Sequence, residues 1–303
     1  GALTASGSAS MNSEGKTGKG LNAGTTFSMA NSVTFTGSGE LDNGLTASVS
    51  FELDQFSGNN SSKGFDSHSV TISSDSLGTL TLAGHGGSTT TGKIDTTAAG
   101  DMWDNFDQLS NDVGIAYADG VTANSGSNNA ILYTSPDLMD GLNVTLSYNP
   151  QGSGAASESG YGFNYTGVEG LSLSYANTDV ESGTATSSGD NTVIKVSYAY
   201  GPVTVSYSEM ENEVAAAANS KDKVSESYAV SYTVSDELSL TYGSETHDRG
   251  DTAVDMEIEG FSVAYTTGGM TISAAMQSMD DGNFATGTNN DVDYWALGAS
   301  FAF

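Results

Sequence analysis

Residues 33–53 read VTFTGSGELDNGLTASVSFEL. Val33, Phe35 and Leu41 share one parity, and Leu45, Ala47, Val49, Phe51 and Leu53 share one after the turn. The opposite positions are Thr34, Thr36, Ser38 and Glu40, then Thr46, Ser48, Ser50 and Glu52. Strict alternation of this kind describes a strand with one apolar and one polar face. Asp42-Asn43-Gly44 supplies a tight turn, so the stretch is a hairpin.

The same unit recurs along the chain. Further hairpins turn near Asp75, between Pro136 and Gly141, at Gly167 to Gly170, at Gly201-Pro202, at Ser235 to Glu237 and at Thr267 to Gly269. Seven hairpins give fourteen strands. The first run, ALTASGSASM, and the last, DYWALGASFAF, raise the expectation to sixteen. Longer polar stretches separate the hairpins, so one rim would carry tight turns and the other long loops.

A soluble sandwich buries one sheet face against another and cannot give a whole face to hydroxyls. A membrane barrel can. In lipid every backbone N–H and C=O must be paired, so only a closed sheet spans. Its outward face meets acyl chains and its inward face meets water. Strands of about ten residues in even number fit that architecture, and sixteen leave an aqueous lumen. The last strand then makes sense. Trp295, Leu297, Ala299, Phe301 and Phe303 face outward, and Phe303 ends in the interfacial girdle at the short-turn rim. Tyr165, Tyr200, Tyr232 and Tyr265 lie close to the same rim, where amphipathic rings are favoured.

Composition narrows the function. Acidic residues number 37 against 8 basic ones, a net charge of −29, which disfavours nucleic acid as a partner. With no cysteine, disulfides and thiolate metal sites are excluded. No apolar run approaches the roughly 18 residues of a membrane helix. A start at Gly1 rather than Met suits a processed chain or a trimmed one alike.

At this level the sequence resembles the general porins of Gram-negative bacteria, most of all the alphaproteobacterial (Rhodobacter-type) group. The resemblance rests on terminal Phe303, on DNGLTASVSFELD near the start, and on the order LGTLTLAGHGG, GKID, NNAILYTSPDLMDGLNVTLSYN around the longest loop. It implies one all-β domain over 1–303, a 16-stranded antiparallel barrel in the bacterial outer membrane with short periplasmic turns and long extracellular loops. It also implies a homotrimer, paired terminal strands, and a third loop, about 86–129, folded into the lumen as a constriction. Ions and small hydrophilic solutes would pass by diffusion, without a required cofactor.

No hairpin is legible between His85 and Ala130, and a loop this long needs a functional reason. Within it, AGDMWDNFDQL places Met102, Phe106 and Leu109 at helical spacing, with Asp101 as an N-cap. The amphipathic pattern predicts a short helix that presses its apolar side on the wall and turns Asp101, Asp104 and Asp107 to the pore. Asp95 lies just upstream. Lys195, His85, Glu52 and Glu245 have inward parity, whereas Lys16, Lys19, Lys63, Lys221, Lys223 and Arg249 read as loop residues. The basic cluster that usually opposes the acidic loop in the family is missing. A negative lumen predicts cation preference.

Other acidic groups crowd the loop rim: Glu209, Glu211 and Glu213; Asp248, Asp251 and Asp255; Asp280 and Asp281. Hard oxygen clusters suit Ca²⁺ and the bridging of lipopolysaccharide phosphates. They equally suit plain solvated loops. The small outward set Leu3, Ala5, Gly7, Ala9, Met11, Gly37 and Gly39 suits a subunit contact around strands one to three and sixteen, or sheet curvature. In DMEIEGFSVAY, Glu257 and Glu259 share outward parity with Phe261. Either Gly260 is a bulge that flips the parity, or these acids stand above the bilayer. Rival functions are a substrate-specific channel, a barrel enzyme and an acidic adhesin. Only His68, His85 and His247 are available for enzyme chemistry, and none sits in a recognisable motif.

Overall fold

The structure, a computed structural model, describes residues 3–17, 24–54, 65–106, 128–150, 156–182, 188–215, 222–287 and 290–303. Sixteen strands follow the chain: β1 (Leu3–Lys16), β2 (Gly24–Glu40), β3 (Thr46–Asp54), β4 (Ser67–Ser74), β5 (Gly78–His85), β6 (Ala130–Thr134), β7 (Leu142–Asn149), β8 (Ser157–Tyr165), β9 (Leu171–Glu181), β10 (Gly189–Tyr200), β11 (Val203–Val214), β12 (Lys223–Thr233), β13 (Leu238–Arg249), β14 (Met256–Thr267), β15 (Met270–Asp280) and β16 (Val292–Ala302). Each pairs antiparallel with its chain neighbours, and β1 also pairs with β16, so the sheet closes. Every expected tight turn falls between the expected strands. Gly44, Gly78, Gly141, Gly170, Gly201 and Gly268 all have positive φ at these turns.

Closure explains the C-terminal residue. Gly7 donates its N–H to the Phe303 carbonyl at 2.8 Å, and Phe303 donates back to Gly7 at 3.0 Å. The Phe303 ring lies over Gly7, where a Cβ would come within 2.7 Å of it. Trp295 lies over Gly15 in the same way, 2.3 Å from where a Cβ would be. Glycine opens room on β1 for the two large rings of the seam.

The outer face carries an apolar belt between two aromatic rows. Tyr200, Tyr232, Tyr265 and Phe303 stand exposed near the short-turn rim. Toward the loops, Tyr207 packs against Tyr228 and Tyr242 against Phe261, each pair 4.9 Å between ring centres. Val205, Val230, Leu240 and Ile272 lie exposed between the rows. Above the upper row the outward side chains turn acidic. Tyr207 donates to Glu209 at 2.7 Å and Tyr242 to Glu259 at 2.8 Å. Each phenol thus spans from the apolar belt to a hydrated carboxylate.

This placement settles Glu257 and Glu259. The registers of β14 with β13 and β15 run unbroken past Gly260, so there is no bulge. Both acids face outward, above the upper aromatic row. The apolar residues between them face inward, and Met256, Ile258, Met279, Val292 and Tyr294 line a patch of inner wall. Among the described residues the one register shift lies at His68 and Ser69, opposite the end of β5. Two loop assignments also change. Glu209, Glu211 and Glu213 belong to β11 and face outward, while Lys16, Lys223 and Arg249 belong to β1, β12 and β13. These strands extend farther past the apolar belt than their alternation revealed, because polar residues occupy both faces there.

The Gly78 turn tests the hairpin geometry. A Cβ at Gly78 would lie 2.2 Å from the Thr134 carbonyl, with φ at +79°. Gly78→Val should cost the barrel more than the roughly 1–2 kcal/mol of a left-handed residue alone, read as a lower heat-unfolding midpoint in detergent.

Candidate functional site

Between β5 and β6 the chain turns into the barrel and runs along its inner wall. Thr90 donates its N–H to Ser147 Oγ of β7 at 3.0 Å. Thr91 Oγ1 meets Thr178 Oγ1 of β9 at 2.8 Å. Ile94 packs on Val193 and Met210. Lys195 of β10 donates to the Thr96 carbonyl at 2.6 Å. Ala98 donates to Ser208 of β11 at 2.8 Å and Ala99 to Ser227 of β12 at 2.9 Å. Met102 and Trp103 both donate to Glu245 of β13 at 3.0 Å, each to a different carboxylate oxygen. Asn105 donates to Gln277 of β15 at 3.0 Å. The loop is thus fastened strand by strand from β7 round to β15.

The sheet registers make this possible. Lys195 pairs with Ser208, Ser208 with Ser227, Ser227 with Glu245, Glu245 with Ile258, and Ile258 with Met279. These inward residues form one row around the wall, and the loop lies along it. At its end Met102 and Phe106 enter the apolar patch, with Phe106 fully buried and 5.9 Å from the Tyr294 ring. Burying such side chains is worth about 2 kcal/mol each. Two glycines clear the path. A Cβ at Gly160 would lie 2.3 Å from Thr90 Oγ1, and one at Gly243 would lie 2.7 Å from Ala99 Cβ.

The expected helix is present as a 3-10 segment, Met102–Phe106, with its apolar side on the wall. Asp101 does not act as its N-cap. With φ at 55°, it closes the preceding turn by accepting from the Thr97 N–H at 2.8 Å while its own N–H donates to Thr97 Oγ1 at 2.7 Å. Asp104 is exposed and Asp95 and Asp101 are half-buried. Asp107 and Leu109 lie outside the described residues. Burial raises Asp95, helped by repulsion from Asp101. Burial likewise raises Asp101, helped by repulsion from Glu245, against the lowering effect of its Thr97 hydrogen bonds.

Of the other expected residues, Lys195 joins this group, as an anchor on the loop backbone and a counter-charge to Asp95 and Asp101. Glu52 and His85 do not. Glu52 accepts from Ser67 at 3.0 Å, and His85 bonds the Asp66 carbonyl. Glu52 keeps its inward parity, but the register shift pairs His85 with His68, on the face of Phe51 and Val70, so the extra residue at the end of β5 removes the inward parity expected of His85. The two belong to the roots of β3 and β5. The acidic groups considered for calcium are spread out: Asp248 in β13, Asp280 in β15, and Asp251 paired with Arg249. Among the described residues no three His, Asp or Glu side chains are grouped to hold a metal. Glu245 has the inward parity read from the sequence, but parity did not separate it from Glu52 as the carboxylate that meets the loop. A carboxylate in the middle of a Ser, Thr and Gly face was its only signal.

Comparison with known proteins fits this geometry. The sequence profile of the Gram-negative porin family matches residues 2–303. The chain belongs to the Gram-negative porin family. Its fold is similar to the anion-selective porin from Comamonas acidovorans at 16% identity and TM-score 0.71, covering 100% of this chain and 99% of that one. It is similar to a triple mutant of Rhodopseudomonas blastica porin at 17% identity and TM-score 0.69, covering 100% of both chains. A porin refined at 1.8 Å resolution matches at 18% identity and TM-score 0.67, again over 100% of both. Among curated proteins nothing matches significantly. As a porin, the protein is a channel of the outer membrane and not an enzyme. Ser225, His247 and Glu245 do form a hydrogen-bonded row, yet each is at most 1% exposed. No substrate reaches a nucleophile there.

Gly160→Val places methyl groups where Thr90 meets the wall. The loop root should lift from Ser147 and Thr178, changing unitary conductance in a planar bilayer while the barrel's heat stability in detergent stays close to that of the parent.

Proposed function

We propose that this porin is a general diffusion channel for ions and small hydrophilic solutes, with the 86–129 loop as its constriction and with a preference for cations. One domain, 1–303, would then supply both wall and constriction. The observation that carries the reading is the balance of charge on the gripped loop. Asp95, Asp101 and Asp104 lie on it against one exposed lysine, Lys93, while Lys195 is spent on the Thr96 carbonyl. Among the described residues of β1 to β6, Lys16 is the only lysine or arginine with inward parity, and it sits 3.7 Å from Glu14. A carboxylate about 4 Å from a passing ion is worth about 1 kcal/mol even in water, roughly fivefold in local cation concentration. The inner wall is mainly Ser, Thr, Asn and Gly rather than a ladder of basic or aromatic groups, which favours general diffusion over a substrate-specific path. The Comamonas porin of similar fold is anion-selective; the cation preference proposed here rests on this chain's own side chains.

The same reading includes a homotrimer joined through β1 to β3 and β16, whose outward Ala5, Gly7, Ala9, Gly37 and Gly39 allow close approach. The acidic row above the upper aromatics is where lipopolysaccharide phosphates, bridged by divalent ions, would meet the wall.

Replacing Asp95, Asp101 and Asp104 together by Asn should lower the K⁺/Cl⁻ permeability ratio several-fold, measured as reversal potential in a KCl gradient. An unchanged or anion-preferring parent would sink the reading. Acidification should act in the same direction. As pH falls through the raised values of Asp95 and Asp101, each takes a proton and its negative charge is lost. Cation preference should therefore begin to fall above the usual aspartate value of about 3.9.

A further inference from the structure

We infer that Glu245 is the positioning residue of the constriction: a single buried carboxylate on β13 that holds the loop where it narrows the pore. The inference rests on the reading that this loop is the constriction, and it assigns the setting of that aperture to a wall residue that no permeating ion touches.

The contacts on Glu245 are concentrated on one short stretch of loop. Thr97 Oγ1 and the Met102 N–H donate to Oε1, and the Trp103 N–H donates to Oε2. Hydrogen bonds to an ionised acceptor are about twice as strong as neutral ones, and here they are shielded from the wet lumen. The fastenings to β10, β11, β12 and β15 are each made through one lysine, serine or amide side chain. The carboxylate is itself held from behind. His247 Nε2 stands 3.4 Å from Oε2, and Ser225 Oγ bonds His247 Nδ1. His247 and Ser225 pair directly across β13 and β12. A fixed carboxylate thus receives the turn that Thr97 and Asp101 close, and Asp101 and Asp104 take their places on either side of the anchored amides. Gly243, two residues away on the same inward face, leaves space for Ala99 and Met102. Anchor and clearance are adjacent in the strand, so β13 is shaped to seat this piece of loop.

The test separates position from charge. Glu245→Ala removes all three acceptor contacts. It should raise unitary conductance by roughly half or more and add open-channel noise, because the segment from Thr97 to Phe106 no longer holds one aperture. Glu245→Gln keeps the shape but presents an amide N–H to one donor, and should give the same change in smaller measure. It also serves if the alanine variant fails to assemble. The decisive arm adds Ala99→Cys and Gly243→Cys to Glu245→Ala. The wall Cβ at position 243 would be 2.7 Å from Ala99 Cβ, so a disulfide needs the loop to back off by only about 1 Å. Under oxidising conditions this tether should return conductance and noise to the parent values, and reduction should abolish the rescue. Parent-like conductance and noise in both Glu245 variants overturn the inference. So does a changed channel that the closed tether fails to restore, since Glu245 would then act through its field. The Asp-to-Asn variants report separately on the constriction: a selectivity shift there with no effect at Glu245 leaves the constriction standing and removes the anchor.

Discussion

A lipid bilayer offers backbone amides no hydrogen-bond partner, so a sheet that crosses it must leave no edge. The rest of this porin depends on that constraint. It requires the last strand to find the first, which is why β16 pairs with β1 and why Phe303 exchanges both its backbone hydrogen bonds with Gly7. It also forces one sheet to serve two solvents at once. Alternation by two then separates Leu, Val and Tyr from Ser and Thr with no core between them.

Such a wall has no packed interior, so its long loop cannot be stabilised as a core would be. The barrel solves this within the lumen. It places hydroxyls, an amide, a lysine and one buried carboxylate at registered positions, and the loop backbone uses them as it would use a neighbouring strand. An apolar patch of Met256, Ile258, Met279 and Tyr294 receives Met102 and Phe106. Polar fastening gives direction and apolar contact gives adhesion. Neither alone would hold a segment with water on its free side.

Where one face met lipid and the other met water, the sequence was legible almost residue by residue. Strand number, turn positions, the span from His85 to Ala130 and the outward face of Phe303 follow from parity, whereas the pairing of the terminal strands came from the family resemblance. Legibility failed where both faces are polar or where the inside is apolar. Glu209, Glu211 and Glu213 looked like a loop because nothing greasy alternated with them. Glu257 and Glu259 looked anomalous because Met256 and Ile258 face inward, a choice made by the loop they receive and not by their own strand. Asp101 looked like a helix cap, yet a left-handed turn with Thr97 uses it in reverse. Glu52 and Glu245 have the same parity and the same chemistry. Only the path of the loop, a tertiary fact, separates the peg from the bystander.

That distinction bears on how selectivity can change on one and the same wall. The peg at Glu245 binds backbone amides, so it is blind to most side chains carried by the stretch it holds. Asp95, Asp101 and Asp104 project from a backbone whose course is set by Ser208, Ser227 and Glu245. Exchanging an exposed carboxylate such as Asp104 for a neutral or basic group alters the field along the pore but leaves those amide contacts in place. Asp101 is less free, because its carboxylate also closes the Thr97 turn. The fastening and the field therefore lie on different atoms of the same loop, the one in its main chain and the other in its side chains. A fold similar to that of an anion-selective porin is thus compatible with the opposite preference proposed for this chain.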